Sequence, residues 1–121
     1  MKEIAVGLPA SAGKISGQIA LDSETAIKWG GEGKRVILVR RDTCPDDLDG
    51  MIHAVGVLTA RGGMTSHASL VARENNKPCV VGCRTLKIDL EQRLITLGEV
   101  TLMEGQEIEI DGKEGKIYEV G

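Results

Sequence analysis

The sequence predicts an α/β domain with a mostly parallel central sheet, helices beside it and a β-meander at the C-terminal end. Two patterns support this prediction. Up to about residue 82, apolar runs with charged ends alternate with segments that carry helix-start signals, as in parallel sheets. Beyond residue 84, short apolar segments alternate with glycine turns, as in antiparallel hairpins. A chain of 121 residues is enough for one domain, so we expect residues 1–121 to form a single domain.

The predicted elements of the first two thirds alternate strand and helix. An opening apolar stretch stops at Pro9, and strands are then predicted at 15–21, 35–40, 54–60 and 79–82. Helices are predicted at 22–29, starting within 43–48, and at 67–75. Asp22 or Ser23 can cap the first helix, and Pro45 suits the first turn of the second. The runs 35–40 and 54–60 are continuously apolar in their centres, which is typical of strands buried on both faces.

The last third is predicted as strand and turn. Strands are expected at 86–90, 94–97, 100–103, 107–110 and 116–120. The segments between them contain glycines that suit tight turns: Gly98, Gly105, Gly112 and Gly115. We expect these strands to form a meander that packs beside the parallel sheet.

Composition argues against several classes of partner. Lys and Arg number 15 against 18 Asp and Glu, the net charge is −3, and aromatic residues make up 2% of the chain. A nucleic-acid-binding surface is normally basic and often aromatic, so no nucleic acid is expected. No apolar run approaches the ~20 residues of a membrane span, and the start of the chain lacks the apolar core of a signal peptide. We expect a cytoplasmic protein without a membrane partner.

Other features match no cofactor or metal motif. The Gly-Lys pairs at 13–14 and 33–34 lack both the earlier glycine and the following Ser or Thr of a phosphate-binding P-loop. The three cysteines are an odd number with no zinc or redox spacing, so free thiols are expected. His53 lies at a predicted helix end and is expected to be structural or solvated. We expect no metal site and no cofactor bound by this chain.

The segment 59–73 carries the candidate chemistry. A buried strand ends there, and Gly62 and Gly63 allow the backbone to turn sharply. Thr65 or Ser66 can then cap the next helix. The free N–H groups and partial positive charge of a helix start favour an anion, and open α/β sheets bind ligands at this edge of their parallel strands. The segment therefore predicts an anion site.

His67 lies in the first turn of this predicted helix. A neutral imidazole is a nucleophile, and its phosphorylated form would need groups that stabilise negative charge. The candidates for this supporting role are the guanidinium of Arg61, the amides of Gly62 and Gly63, and the hydroxyls of Thr65 and Ser66. The pattern also fits a purely structural helix start, and a serine nucleophile fits less well because the Gly-x-Ser-x-Gly motif is absent. One nucleophile beside an anion site suits a group carrier better than a complete enzyme.

The motif GGMTSHASLVAR at 62–73, followed by KPCVVGC at 77–83, resembles the phosphohistidine domain of the phosphoenolpyruvate-utilising enzymes. Among these, it is most similar to the form found in the pyruvate, phosphate dikinases. LPAS at 8–11, TCPDDLDGM at 43–51 and AVGVLT at 54–59 fit the same pattern. The resemblance therefore covers nearly the whole chain.

This resemblance implies a swivelling β/β/α fold and the role of a phosphoryl carrier. His67 occupies the position of the family's phosphorylated histidine, and Thr65 the position at which plant dikinases are phosphorylated for regulation. The implied reaction converts ATP, inorganic phosphate and pyruvate into AMP, pyrophosphate and phosphoenolpyruvate. In it, His67 takes a pyrophosphoryl group from ATP, loses one phosphate to inorganic phosphate and delivers the other to pyruvate.

The resemblance also implies partners. The full enzymes carry an ATP-binding domain and a phosphoenolpyruvate/pyruvate barrel domain, and we expect these on the same or on separate chains, with Mg²⁺ on those domains. One alternative is a carrier of a phosphoenolpyruvate synthase-type system, in which water replaces phosphate as the second acceptor. Another is a non-catalytic regulatory module of the same fold.

Overall fold

The computed structural model describes residues 1–120, which form eleven strands and three α-helices. The strands are β1 (Lys2–Val6), β2 (Leu8–Ser11), β3 (Lys14–Ala20), β4 (Val36–Arg40), β5 (Gly56–Thr59), β6 (Cys79–Val81), β7 (Leu86–Asp89), β8 (Leu94–Leu97), β9 (Val100–Met103), β10 (Glu107–Asp111) and β11 (Lys116–Glu119). The helices are α1 (Ser23–Gly31), α2 (Leu48–His53) and α3 (His67–Glu74), with a 3-10 turn at Pro45–Asp47 before α2. From β3 onward, the predicted strands agree with these bounds to within a residue or two.

The opening segment contains two strands, and the prediction that its apolar stretch stops at Pro9 is wrong. β1 and β2 are separated by Gly7 alone, and Pro9 lies inside β2. A proline is tolerated in an edge strand, because the N–H that it lacks is not needed by a second neighbour. β2 is the last strand in the sheet order, and its pairing with β6 becomes irregular just after Pro9.

The largest sheet is mixed rather than mostly parallel. Its eight strands follow the order β1-β11-β10-β3-β4-β5-β6-β2. β3, β4, β5 and β6 are parallel neighbours, as predicted for the middle of the chain. The other four pairings are antiparallel, because the opening segment and the end of the chain add strands at both sides of this parallel centre.

The strands after β6 do not form one continuous meander. β7, β8 and β9 form a separate three-stranded antiparallel sheet, whereas β10 and β11 form a hairpin within the large sheet. Ile108 and Ile110 of β10 and Ile117 of β11 are fully buried there, in the same core as the side chains of β4 and β5. The hairpin leaves the predicted meander because β10 pairs with β3 and β11 pairs with β1, strands from the start of the chain.

The large sheet lies between two apolar cores. In β4, Ile37 and Val39 face one core and Val36 and Leu38 face the other, so this strand is buried on both sides as predicted. Apolar residues of the three-stranded sheet complete the first core: Leu86, Ile95, Leu97 and Leu102. Helix residues complete the second: Ala26, Met51, Ala68 and Ala72. The layers therefore follow the order sheet, sheet, helices.

The parallel centre brings three loops to one edge of the sheet. β4, β5 and β6 run in the same direction, so the loops after their carboxyl ends are neighbours. Backbone hydrogen bonds continue past the strand ends: the amide of Arg61 donates to the carbonyl of Arg41 at 2.9 Å, and that of Gly82 donates to the carbonyl of Arg61 at 3.3 Å. No helix among residues 1–120 combines the length and apolarity of a membrane span.

Candidate functional site

His67 is the first residue of α3, and Ser66 is its N-cap. Ser66 has an extended backbone, and its hydroxyl oxygen accepts a hydrogen bond from the amide of Ser69 at 3.4 Å. The Ser69 hydroxyl donates to the carbonyl of Gly63 at 2.7 Å, which ties the helix start to the preceding turn. Of the two predicted capping residues, Ser66 therefore caps the helix, and Thr65 precedes the cap.

The turn before α3 needs a glycine at Gly62 but not at Gly63. Gly62 has a φ of +103°, in a region that other residues rarely adopt. A Cβ atom at this position would also lie 3.0 Å from the Ser66 hydroxyl oxygen. Gly63 faces open space. Gly62 therefore sets the path of the chain from β5 into α3.

Thr43, which sequence reasoning missed, places its hydroxyl beside the imidazole. Its Oγ1 lies 3.4 Å from Nδ1 of His67, and its side chain is buried. Thr43 follows β4, whereas His67 follows β5, so the two meet because their strands are parallel neighbours. The motif at 43–51 that contains Thr43 is part of the family resemblance, but only the sheet order connects Thr43 to His67. With Nδ1 facing Thr43, Nε2 is the ring nitrogen left for chemistry.

A buried carboxylate holds the loop that carries Thr43. Asp47 accepts hydrogen bonds from the amide of Cys44 at 3.1 Å and from the hydroxyl of Ser23 at 2.7 Å. Its carboxylate also lies 3.5 Å from Nε of Arg40, at the end of β4. These contacts join β4, α1 and the turn before α2, and they fix the backbone next to Thr43.

Arg73, which the sequence also did not single out, holds the other side of the site. It lies in the last turn of α3, and its guanidinium donates to the carbonyls of Met64 and Ala10. Met64 belongs to the loop before His67, and Ala10 belongs to β2. This pair of contacts anchors the loop to the edge strand of the large sheet.

The turn presents several groups that can bind an anion. Within residues 1–120, the amides of Gly62, Gly63 and Thr65 donate no hydrogen bond. The Arg61 side chain and the Thr65 side chain are exposed. The hydroxyl of Ser66, in contrast, is already engaged by Ser69. The structure thus brings the predicted residues together on one turn, but Ser66 contributes mainly to the helix cap.

Other features singled out in the sequence lie away from this turn or serve the core. His53 ends α2 in an exposed position, with its Nδ1 2.8 Å from the carbonyl of Asp49. Cys79 and Cys83 are buried free thiols, and Cys44 is an exposed one. Burial raises the pKa of the Cys79 thiol to about 12. Among the described residues, no three His, Cys, Asp or Glu side chains cluster as metal ligands would.

The chain is similar to one segment of much longer enzymes. Residues 32–115 match the family model described as "PEP-utilising enzyme, mobile domain". The chain is 47% identical over 116 residues to a chloroplastic pyruvate, phosphate dikinase of Arabidopsis thaliana, a match that covers 96% of this chain and 12% of the relative. It is 46% identical over 114 residues to a pyruvate, phosphate dikinase of Rhizobium meliloti, covering 94% of this chain and 13% of the relative.

A solution structure of an Enzyme I protein is also similar, with 31% sequence identity and a TM-score of 0.47. That match covers 69% of this chain and 29% of the Enzyme I chain. The chain thus spans about an eighth of the length of the dikinase relatives and less than a third of that structure.

Proposed function

Because the chain belongs to the family of PEP-utilising enzyme mobile domains, we propose that it is a phosphoryl carrier and that His67 is the phosphorylated residue. The observation that carries this proposal is the placement of His67. It begins α3 at the carboxyl end of β5, beside free backbone amides, with Nδ1 facing the Thr43 hydroxyl. A nucleophile and a site for the negative charge it acquires therefore adjoin each other.

In the proposed transfer, the lone pair of Nε2 forms the bond to phosphorus, and the leaving oxygen of the donor takes the electrons of the broken bond. The proposal places the ring hydrogen on Nδ1, where Thr43 Oγ1 lies 3.4 Å away as its acceptor, so that the lone pair is on Nε2. The negative charge of the bound phosphoryl group then lies near the amides of Gly62, Gly63 and Thr65. The exposed guanidinium of Arg61 can bind phosphate oxygens as the charge arrives.

We propose the substrates that the dikinase resemblance implies. His67 displaces AMP from ATP and carries a pyrophosphoryl group. Inorganic phosphate takes the terminal phosphoryl group and leaves as pyrophosphate, and the enol oxygen of pyruvate takes the second group to give phosphoenolpyruvate. This sequence restores the free imidazole.

The proposed partners are an ATP-binding domain and a phosphoenolpyruvate/pyruvate barrel domain, on the same or on separate chains. Residues 1–121 would act as one domain that swivels between them. Mg²⁺ would be held by those domains and the nucleotide phosphates, as is usual in phosphoryl transfer.

The test is intact-mass spectrometry after incubation with ATP or phosphoenolpyruvate and with the remaining domains of a dikinase relative. We expect one acid-labile, base-stable phosphate on the wild type and on His53→Ala, and none on His67→Ala. His53 is the matched control, because it is the other histidine of the chain and is exposed. Phosphate that persists on His67→Ala would contradict the proposal, and no labelling from either donor would favour a regulatory module.

A second measurement separates the dikinase-type from the synthase-type carrier. Phosphoryl transfer from ATP to pyruvate should require inorganic phosphate in the first case and proceed without it in the second. We expect a requirement for inorganic phosphate, with pyrophosphate as a product.

A further inference from the structure

Three neighbouring parallel strands are each followed by an arginine at the same edge of the sheet. Arg41 follows β4, Arg61 follows β5 and Arg84 follows β6. With Lys87 of β7, these arginines line a cavity of about 470 Å³. All four side chains are exposed, and none forms an ion pair within residues 1–120. The sheet order therefore concentrates four unpaired cations around one space.

The other walls of this cavity are aliphatic. Ala60, Leu86 and Ile88 complete its lining, and no carboxylate or aromatic side chain takes part. A neighbouring cavity of about 360 Å³ shares Ala60, Arg61 and Arg84 and extends to Gly62, in the turn before His67. On the other side, Asp42 and Arg41 line a third cavity of about 250 Å³.

Concentrated positive charge is unusual in this chain, whose net charge is −3. Four cations around one space repel each other, and a bound anion removes that repulsion. Guanidinium groups hold phosphate oxygens through pairs of parallel hydrogen bonds, which lysine does not provide. Ligands of open α/β sheets also lie beyond the carboxyl ends of parallel strands, where these three arginines stand.

We propose that the arginine cavity, lined by Arg41, Ala60, Arg61, Arg84, Leu86, Lys87 and Ile88, binds a phosphate-class oxyanion. The chemistry recognised is the phosphate group itself, whether it comes from free inorganic phosphate or pyrophosphate or from the phosphate chain of a nucleotide. The absence of an aromatic side chain from the lining leaves nothing to stack on a base. Inorganic pyrophosphate therefore binds at least as tightly as ATP.

The arginine cavity is a separate site from the imidazole, since neither His67 nor Thr43 lines it. Its binding of an oxyanion does not depend on phosphorylation of His67. Arg61 links the two sites, because it lines the cavity and begins the turn that leads to His67. One consequence does rest on the proposed function: the carrier itself then holds an inorganic phosphate or pyrophosphate beside the loop of its histidine.

A heteronuclear NMR titration of the unphosphorylated chain tests the site directly. Pyrophosphate, inorganic phosphate and ATP are added separately at constant ionic strength, and sodium chloride serves as a control for unspecific charge. We expect pyrophosphate to shift the amide resonances of residues 41, 60–61 and 84–88. Arg84→Gln should weaken pyrophosphate binding about tenfold, the loss expected for one charge-assisted contact.

Two further variants sharpen the test. Arg84→Lys keeps the charge but loses the planar fork, so its affinity should fall between the wild type and Arg84→Gln. Lys113→Gln is the matched control, because Lys113 is an exposed lysine in the turn between β10 and β11, at the opposite edge of the sheet. It removes the same charge from the chain and should leave the affinity unchanged.

The outcomes separate the possibilities. Shifts at the amides of residues 41, 60–61 and 84–88, with binding that Arg84→Gln weakens and with pyrophosphate bound at least as tightly as ATP, support the proposal. Tighter binding of ATP than of pyrophosphate would overturn it, because groups other than the phosphates would then be recognised. Shifts confined to residues 62–68 and unaffected by Arg84→Gln would overturn the proposal, because the anion would then bind at the helix start. Equal weakening by Lys113→Gln, or no shift at millimolar pyrophosphate, would also overturn it. None of these results depends on whether His67 can be phosphorylated.

Discussion

At the scale of single residues, the Thr43 hydroxyl and the His67 imidazole are hydrogen-bond partners. Thr43 is buried, and a buried hydroxyl is costly unless it has a hydrogen-bond partner. Within residues 1–120, the partner of its Oγ1 is Nδ1 of His67. The imidazole in turn gains a fixed orientation. Thr43 is therefore a positioning residue for the proposed carrier.

We predict that Thr43→Val slows labelling of His67 about tenfold, since it removes one hydrogen bond while preserving the shape of the side chain. Thr43→Ser keeps the hydroxyl and should restore most of the rate. The measurement is the rate of phosphate incorporation by intact mass, with thermal unfolding to check that both variants fold. Similar rates for the valine and serine variants would show that the hydroxyl has no part in transfer.

Substitutions of Thr65 test whether a negative charge in the same turn slows phosphoryl transfer to His67. A negative charge about 6 Å from the incoming phosphoryl group repels each unit of its charge by roughly 2–3 kcal/mol at an effective dielectric near 20. Thr65 is exposed, and solvent reduces this repulsion. We predict that Thr65→Glu still slows labelling of His67 at least about tenfold, whereas Thr65→Val, which adds no charge, has a smaller effect. Equal rates for Thr65→Glu and the wild type would show that this side chain points away from the transfer site.

Among the secondary-structure elements, α1 is held at its start by a contact with Arg93, in the turn between β7 and β8. Asp22 caps α1, accepting from the Thr25 amide at 2.8 Å. Its other oxygen lies 2.9 Å from the Arg93 guanidinium, which also binds Glu104. Burial alone would raise the pKa of Asp22, but the hydrogen bonds from Thr25 and Arg93 outweigh burial and lower it. These contacts join the three-stranded sheet to the helix layer.

The lowered pKa predicts how this contact depends on pH. The stability contributed by the Asp22 charge is fully present above the usual pKa of 3.8 and is lost as the pH falls through the lower folded-state value. Asp22→Asn keeps a good cap but loses the charge, so we expect it to cost at most about 1 kcal/mol of unfolding free energy at neutral pH. Urea unfolding should show that the difference in unfolding free energy between the wild type and Asp22→Asn shrinks below pH 3.8.

The matched control for Asp22→Asn is Glu24→Gln, in the first turn of the same helix. Glu24 is exposed and has no ion pair in the described part of the chain. We expect a much smaller change from this substitution. An equally large loss of unfolding free energy in Glu24→Gln would contradict the role assigned to the Arg93 contact. So would a loss in Asp22→Asn that does not change with pH.

Considered as a whole, the large sheet curls until its two ends approach each other. β1 and β2 lie at opposite ends of the strand order, yet one residue, Gly7, separates them in the chain. The turn between β10 and β11 packs against this opening segment, with the amide of Gly7 donating to the carbonyl of Gly115 at 2.7 Å. A Cβ atom on Gly112 would lie 1.8 Å from the carbonyl oxygen of Ser11. Backbone approach at Gly112 is therefore a condition for closing the fold.

We predict that Gly112→Ala destabilises the protein by about 3 kcal/mol or prevents folding, because the three nearest atoms it would crowd, two of Ser11 and one of Cys79, all belong to the backbone. Gly31→Ala is the control: Gly31 ends α1 with nothing within 4 Å, and alanine favours helices. Thermal unfolding should show a large loss for the first variant and little change or a gain for the second. A wild-type unfolding temperature for Gly112→Ala would contradict this account of the closure.

Local signals were enough to predict most of the elements and to single out a candidate site. Helix caps, proline at a first turn and short apolar runs are features of neighbouring residues, so they predict α1, the parallel strands and the start of α3. The motif around His67 also indicates the family, because its glycines, hydroxyl residues and histidine lie within a few residues of each other in the sequence. The segment at Pro9 is an exception. A proline predicts the end of a strand unless the strand is known to lie at the edge of a sheet, and the sequence does not show that β2 does.

Contacts between distant parts of the chain required the tertiary structure. The sequence could not show that β10 and β11 leave the meander, since their partners β3 and β1 lie about a hundred residues earlier in the chain. Thr43 contacts His67, and Arg41, Arg61 and Arg84 line one cavity, because β4, β5 and β6 are parallel neighbours. Periodicity and capping act within a few residues, whereas strand pairing joins residues far apart in the chain, so the chemistry of this sheet edge emerges only when the strands are assembled.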